Sequence, residues 1–291
     1  MKEYQPKILV LSGGGVKGIS FVGALQELEN TTTFRITELE YLSGSSIGGI
    51  ICTAICFGYT LQEIYNWFLT IPFSSFCPQL YDTNNTEKIL PKIYNTFSIG
   101  DGKELENSLY KTFDTKHISR NITFQELYTI SKKHLYISGS NITSSKSEYF
   151  SHTTTPNMKV FDALCITSRI PFVFPYIQKN SQIYVDGHIF DPFPVRCIPS
   201  KIRKKYKKET LGIISSPTKN TNTIENIKDY TFSILEGISI QYMKKATLQY
   251  KKNIISIMIH KGFFSLQTTE KEMESMYNIG KQECVKYIET L

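Results

Sequence analysis

No stretch of this sequence runs for about 18 apolar residues, the length a membrane-spanning helix needs. The opening MKEYQPKILVL has a charged start and only a short apolar run, too little for a signal peptide. The expectation is therefore a cytoplasmic chain whose membrane contact is peripheral. Cysteine is scattered at 52, 56, 77, 165, 197 and 284, with no pair in C-x-x-C spacing, which excludes a zinc ribbon. The length of the chain argues against a disulfide scaffold. Cys52 and Cys56 stand four apart on an apolar helix, where buried free thiols are expected. No cluster of ligand-bearing side chains calls for a metal, and no cofactor is expected. Neither an internal repeat nor a linker divides the 291 residues, so residues 1–291 read as a single domain.

What is present is an ordinary apolar and charged composition, rich in Tyr and Phe, with a net charge of +7. Strand and helix signals alternate along the chain. Ile8–Leu11 reads as a strand, and a helix follows that ends near Asn30–Thr33. Leu39–Ser43 reads as a strand, Gly48–Phe57 as a buried helix and residues 60–69 as a further helix. Residues 71–86 read as a loop. Leu105, Leu109 and Phe113 define an amphipathic helix with Asp101 as its N-cap. Residues 134–151 alternate like a β-hairpin around Thr143–Lys146. A helix over 158–170 stops at Pro171, a strand over 182–190 breaks at Gly187, and 211–216 is another strand. Residues 224–250 look helical, Ile254–Ile259 is a last strand, and an amphipathic helix runs from about 268 to 290. Such interleaving argues for a layered α/β fold.

One charge run stands out. KIRKKYKK, residues 201–208, carries Lys201, Arg203, Lys204, Lys205, Lys207 and Lys208. It reads as a solvated loop, or functionally as a contact with an anionic membrane surface. Nucleic acid is not an expected partner, because no recognised nucleic-acid fold motif accompanies the run.

The chemistry concentrates in two glycine-rich turns. LSGGGVKGIS, residues 11–20, literally spells G-x-G-x-x-G through Gly13, Gly15 and Gly18, between a strand and a helix. Amides at a helix N-terminus can hold a phosphate or the oxyanion of an acyl transfer. The second turn, Gly44-Ser45-Ser46-Ile47-Gly48, is G-x-S-x-G in the strand–turn–helix setting of a nucleophile elbow. A serine needs a base, and the five histidines offer no clear one. His260 comes late but lacks an acidic neighbour. Asp186, followed by Gly187 in YVDGHIFDPFPV, is a carboxylate that burial and a nearby dipole could tune for that task, although an Asp-Gly pair alone is usually just a turn.

Together these motifs resemble the patatin-like phospholipases. Gly13-Gly14-Gly15-Val16-Lys17-Gly18, the Ser46 elbow and Asp186-Gly187 carry the resemblance, extended by ALCITSRIPFVFP before the Asp and FDPFPV after it. Order and spacing agree over residues 8–199, which would form the patatin-like core, with 200–291 completing the fold. The resemblance implies a three-layer α/β/α sandwich with a largely parallel central sheet. It implies a Ser–Asp dyad without histidine, Ser46 being the nucleophile and Asp186 the base. The oxyanion hole would be formed around Gly13, Gly14, Gly15 and Val16. Lys17 and Gly18 would support that loop, Lys17 orienting it or meeting a headgroup, while Gly44, Gly48 and Gly187 shape the elbow and the turn. The sequence departs from the family in three places: His188 follows Gly187 where a glycine is frequent, Arg169 stands where a small residue is usual, and Asp191 where Asn is common. So near the dyad, His188 would perturb Asp186, touch substrate or point to solvent, the last being the expectation.

The implied activity is a serine lipid acyl hydrolase that cleaves carboxylic esters of phospholipids through an acyl-Ser46 intermediate. An acyltransferase would use the same groups, and a catalytically silent lipid-binding protein the same fold. A Rossmann nucleotide site would require an acid at the far end of the second strand. Glu38 and Glu40 instead fall at its start, and the far end carries Gly44-Ser45-Ser46. The aromatic segment WFLTIPFSSF, residues 67–76, would line an acyl pocket, act as a lid or pack in the core.

Overall fold

The computed structural model describes residues 2–78, 93–216, 224, 227–261 and 266–291. In chain order, β1 (Ile8–Leu11) and a 3-10 turn (Gly15–Gly18) lead into α1 (Ile19–Thr31). Then come β2 (Tyr41–Gly44), α2 (Ile47–Cys56) and α3 (Leu61–Thr70). They are followed by α4 (Lys103–Asp114), α5 (Phe124–Ser131) and the hairpin β3 (His134–Asn141) and β4 (Lys146–Phe150). Next are α6 (Val160–Thr167), β5 (Ile177–Lys179), β6 (Gln182–Asp186) and the short α7 (Ser200–Lys205). β7 (Thr210–Ser216), α8 (Ile227–Thr247), β8 (Ile254–Met258) and α9 (Glu270–Thr290) complete the order.

The eight strands form one mixed sheet in the order β5-β6-β3-β2-β1-β7-β8, with β4 pairing β3. β3, β2, β1, β7 and β8 are mutually parallel, and β4, β6 and β5 add antiparallel pairs at one side. Strand alternation divides the core between two faces. Leu9 and Leu11 of β1 join a large apolar cluster with Leu25 of α1, Ile51 of α2 and Met276 of α9. Ile8 and Val10 point the other way, into a smaller cluster with Phe193, Ile198 and Met243 of α8. Helices therefore cover both faces of a largely parallel sheet, the layered α/β architecture expected from the sequence.

Several local expectations needed adjustment. The N-cap of α4 is Gly102, at φ 76°, and Asp101 instead accepts the Lys103 amide with Oδ1 at 3.0 Å. Helix α5 has no counterpart in the sequence reading, although Thr123 and Glu126 close a full capping box at its start. Strand β5 was also missed. It is joined to β6 through Asn180 and Ser181, both at positive φ, a turn that admits a tight hairpin. Of the loop expected over 71–86, residues 79–86 lie outside the described residues. Phe73–Phe76 forms a 3-10 turn, and Phe68, Phe73 and Phe76 are buried in the large cluster, so these aromatics pack the core. Cys52 and Cys56 are free and buried as expected, and burial pushes the Cys56 thiol up to about 12. Among the described residues no helix is long and apolar enough to cross a membrane.

Candidate active site

Sheet register brings the two chemical motifs to one level. Gly44, the last residue of β2, aligns with Ile137 of β3, and Ser46 follows two residues later in the turn into α2. Gly139 pairs with Asp186, the last residue of β6, which enters from the opposite direction. β3 thus separates the two strands, and the side chains close the remaining gap. Ser46 Oγ donates to Asp186 Oδ2 at 2.7 Å.

The elbow is strained and tightly packed. Ser46 sits at φ 52°, ψ −129° as the N-cap of α2, a conformation that costs a non-glycine residue about 1–3 kcal/mol. Close approach explains the flanking glycines. A Cβ on Gly44 would stand 2.3 Å from the Gly48 backbone, and one on Gly48 would stand 2.5 Å from the carbonyl oxygens of Leu11 and Ser12. The first turn of α2 therefore lies directly on the first glycine loop, and the Ser45 amide donates to the Leu11 carbonyl at 3.3 Å. Gly18 lies beneath Ile47, and Gly187 lies against Ser138.

The glycine loop is held from below. Ser12 Oγ accepts the Ser215 amide at 3.1 Å and donates to the Gly13 carbonyl at 2.9 Å. Gly14 then caps the 3-10 turn that contains Gly15, Val16, Lys17 and Gly18. The first amides of such a turn have no intrahelical acceptor and are available to an anion. Lys17 is buried, and its Nζ donates to the Lys261 carbonyl at 3.4 Å. It ties the loop to the segment before α9, and burial lowers its ammonium to about 8 despite the Glu236 carboxylate nearby.

The electrostatics set distinct protonation states for Asp186 and His188. Burial raises the Asp186 carboxyl from 3.8 to about 7, opposed by the hydrogen bond from Ser46 and by the His188 amide, which donates to Oδ1 at 2.8 Å. His188 does not point to solvent. Its ring is buried and so close to the loop that a Cβ on Gly13 would lie 2.5 Å from Nδ1. Burial, aided by the Lys17 charge, lowers its imidazole to about 3, so it is neutral at ordinary pH. The reason for the departure is tertiary: the turn after Asp186 is covered by α8, whose Ser239 hydroxyl donates to the His188 carbonyl, and the His188 ring packs on Gly13.

Two further residues join the site. The Ser46 amide donates to Thr167 Oγ1 at 2.8 Å, so the last residue of α6 fixes the elbow. A threonine within the apolar ALCITS segment was the available signal, since a buried hydroxyl needs a partner. The Arg169 carbonyl accepts the Asp186 amide at 2.8 Å, while its buried guanidinium pairs with Glu106. Asp191 accepts a hydrogen bond from the Tyr149 hydroxyl at 2.6 Å. The basic run lies elsewhere. It precedes Thr210, which pairs with Ile8 at the start of β1, whereas Ser46 follows the far end of β2. At about 3.3 Å per residue, at least about 10 Å of strand separates the two ends. Among the described residues no group of three or more His, Cys, Asp or Glu side chains could hold a metal.

Known proteins resemble this chain in sequence and in fold. The chain is 33% identical over 246 residues to "Probable lipid hydrolase 463L" of Invertebrate iridescent virus 6, covering 82% of this chain and 80% of the viral protein. It is 29% identical over 215 residues to Triacylglycerol lipase 4 of Saccharomyces cerevisiae, covering 64% of this chain and 22% of the yeast protein. The fold is shared with VipD from Legionella pneumophila, with a TM-score of 0.64 at 16% identity over 98% of this chain and 67% of VipD. Residues 9–196, which contain both glycine turns and Asp186, match the model of the Patatin family, described as patatin-like phospholipase, and the chain belongs to that family of lipid hydrolases.

Proposed function

We propose that this protein hydrolyses carboxylic esters of phospholipids, with Ser46 as nucleophile and Asp186 as the base. The observation that carries the proposal is the 2.7 Å hydrogen bond from Ser46 Oγ to a carboxylate whose pKa is raised to about 7. A carboxylate tuned near neutrality is partly ionised at working pH and basic enough to accept a hydroxyl proton in the transition state.

In the first half-reaction Ser46 Oγ attacks the ester carbonyl carbon as its proton passes to Asp186 Oδ2. The carbonyl oxygen becomes an oxyanion, received by backbone amides among Gly13, Gly14, Gly15 and Val16, each such donor being worth about 3 kcal/mol. The tetrahedral intermediate collapses with cleavage of the ester C–O bond. The departing alcohol takes the proton from Asp186, leaving an acyl-Ser46 ester. Water then attacks that ester, again losing a proton to Asp186, and the fatty acid leaves as Ser46 Oγ recovers the proton. The α2 N-terminus at Ser46 favours the negative charge that develops there. Neutral His188 bears on the reaction by packing against Gly13 and donating its amide to Asp186.

The test is labelling with a fluorophosphonate probe, together with fatty-acid release from phospholipid and short-chain esters. Wild type is expected to label and turn over, while Ser46→Ala does neither. A folded wild-type protein that neither labels nor releases fatty acid would sink the proposal, and a fully active Ser46→Ala variant would sink the site.

A further inference from the structure

Helix α8 presents two faces of different chemistry. The inner face meets the turn that follows Asp186. Ser239 Oγ donates to the His188 carbonyl at 3.3 Å, and Glu236 lies close enough to Lys17 for each charge to act on the other. A small cavity between α8 and the glycine loop is lined by Lys17, His188, Ser215, Glu236, Ser239 and Met243.

The outer face is apolar where a surface helix is normally polar. Tyr230, Ile234, Ile238 and Tyr242 recur every four residues and are 52%, 46%, 41% and 46% exposed. Each i+4 step turns about 40° around the helix, so the stripe sweeps about 120° of its surface. Gly237 lies alongside, with open space where a Cβ would point. Leu248, just beyond the helix, is exposed as well. A contiguous apolar patch of this kind marks an interaction site.

At the C-terminal end of the stripe the charge has one sign. Between residues 230 and 252 the exposed charged side chains are Lys244, Lys245, Lys251 and Lys252, while Glu236 is half-buried on the inner side. The basic run 201–208 adjoins the same end of the helix. Ile202 and Tyr206 pack with Ala246 and Ile254 around one cluster, and Asn253 Nδ2 donates to the Lys208 carbonyl at 3.2 Å. The run thus belongs to the layer that α8 dominates rather than to the elbow.

We infer that the outer face of α8, flanked by these lysines, docks the protein onto an anionic lipid bilayer. The inference rests on the lipid-ester hydrolase proposed above. An apolar stripe bordered by lysines matches a surface with a hydrocarbon interior and anionic headgroups. The inner face of the same helix touches the turn that follows Asp186, so the docking surface and the site share one helix.

The experiment uses the full chain as Ser46→Ala, so that vesicles are not consumed, in co-sedimentation with phosphatidylcholine vesicles with and without phosphatidylserine. Ser46→Ala is expected to sediment preferentially with the anionic vesicles. Adding Ile234→Ser and Ile238→Ser is expected to weaken binding by about tenfold or more. A second set, Lys244→Glu with Lys245→Glu, is expected to abolish the preference for anionic vesicles. In the Ser46-containing protein, both sets should leave soluble short-chain ester turnover unchanged, which also reports that the fold is intact. Equal binding by the stripe variant and its parent overturns the inference, as does failure of the parent to bind. So does a dimer in sedimentation velocity that the stripe substitutions convert to monomer. Wild type that releases fatty acid from neither phospholipid nor short-chain esters would instead overturn the hydrolase, while vesicle binding by Ser46→Ala tests the docking face separately.

Discussion

The imidazole of His188 occupies the space that a side chain on residue 13 would need. An ideal Cβ on Gly13 falls 2.5 Å from Nδ1 and 2.8 Å from Cγ, well inside van der Waals contact. The histidine after the Asp186 turn and the first glycine of the loop are thus one packed unit, although 175 positions separate them. Gly13→Ala should move either the ring or the loop, costing about 1–3 kcal/mol of stability. Turnover should fall as the loop amides shift. Adding His188→Ala should restore part of both losses. A double-mutant cycle in denaturant and in kcat checks this coupling, and strict additivity would show the contact to be immaterial.

The Asp186 pKa makes two predictions with pH. As a base it must be ionised, so kcat/KM should rise with pH and level off above about 7. For stability the sign is the opposite of the usual carboxylate. Between 3.8 and about 7 the folded carboxyl holds a proton that the unfolded one has lost, so this group destabilises the fold as pH rises through that window. His188 acts the other way. Its folded pKa near 3 lies below its unfolded 6.5, so its contribution is full above 6.5 and is lost as pH falls toward 3. Asp186→Asn should therefore gain thermal stability relative to wild type as pH rises from about 4 to about 7, while losing activity. Melting curves across that range check it, and a constant offset would contradict the buried carboxyl.

Thr167 is a positioning residue. Its hydroxyl accepts the Ser46 amide, so Thr167→Val leaves a buried N–H unsatisfied, at a cost of about 1–3 kcal/mol. The expected kinetic signature is a lower kcat with KM little changed, and Thr167→Ser should retain activity. A valine variant that lost only stability would assign Thr167 a purely structural part.

Thr123 should affect stability alone. It caps α5, remote from the elbow in sequence, with Glu126 closing the box. Thr123→Ala should cost about 1 kcal/mol in denaturant titration and leave ester turnover unchanged.

Legibility followed the range of each interaction. The strand–loop–helix around Gly13–Gly18 and the elbow around Ser46 were readable because a few neighbouring residues impose them. Small residues are required where α2 meets the Leu11 and Ser12 carbonyls, and they appear at the positions concerned. The capping box of α5 was equally local and equally readable, yet it was passed over because its eight residues are too few for a strong apolar period. Strand β5 escaped for a similar reason. Its three residues acquire their extended state from pairing with β6.

Order and spacing of residues by themselves determined the family, the layered α/β fold and the candidacy of Ser46 and Asp186. Only the tertiary structure decided that β3 stands between the two strands while their side chains meet at 2.7 Å. It also decided that Asp186 is pushed up to about 7, that His188 is neutral and inward, and that α8 turns an apolar face outward. The physical reason is that pattern and propensity act over a few residues along the chain. Desolvation, sheet register and exposure are set by groups distant in sequence, and they exist only once the layers have packed.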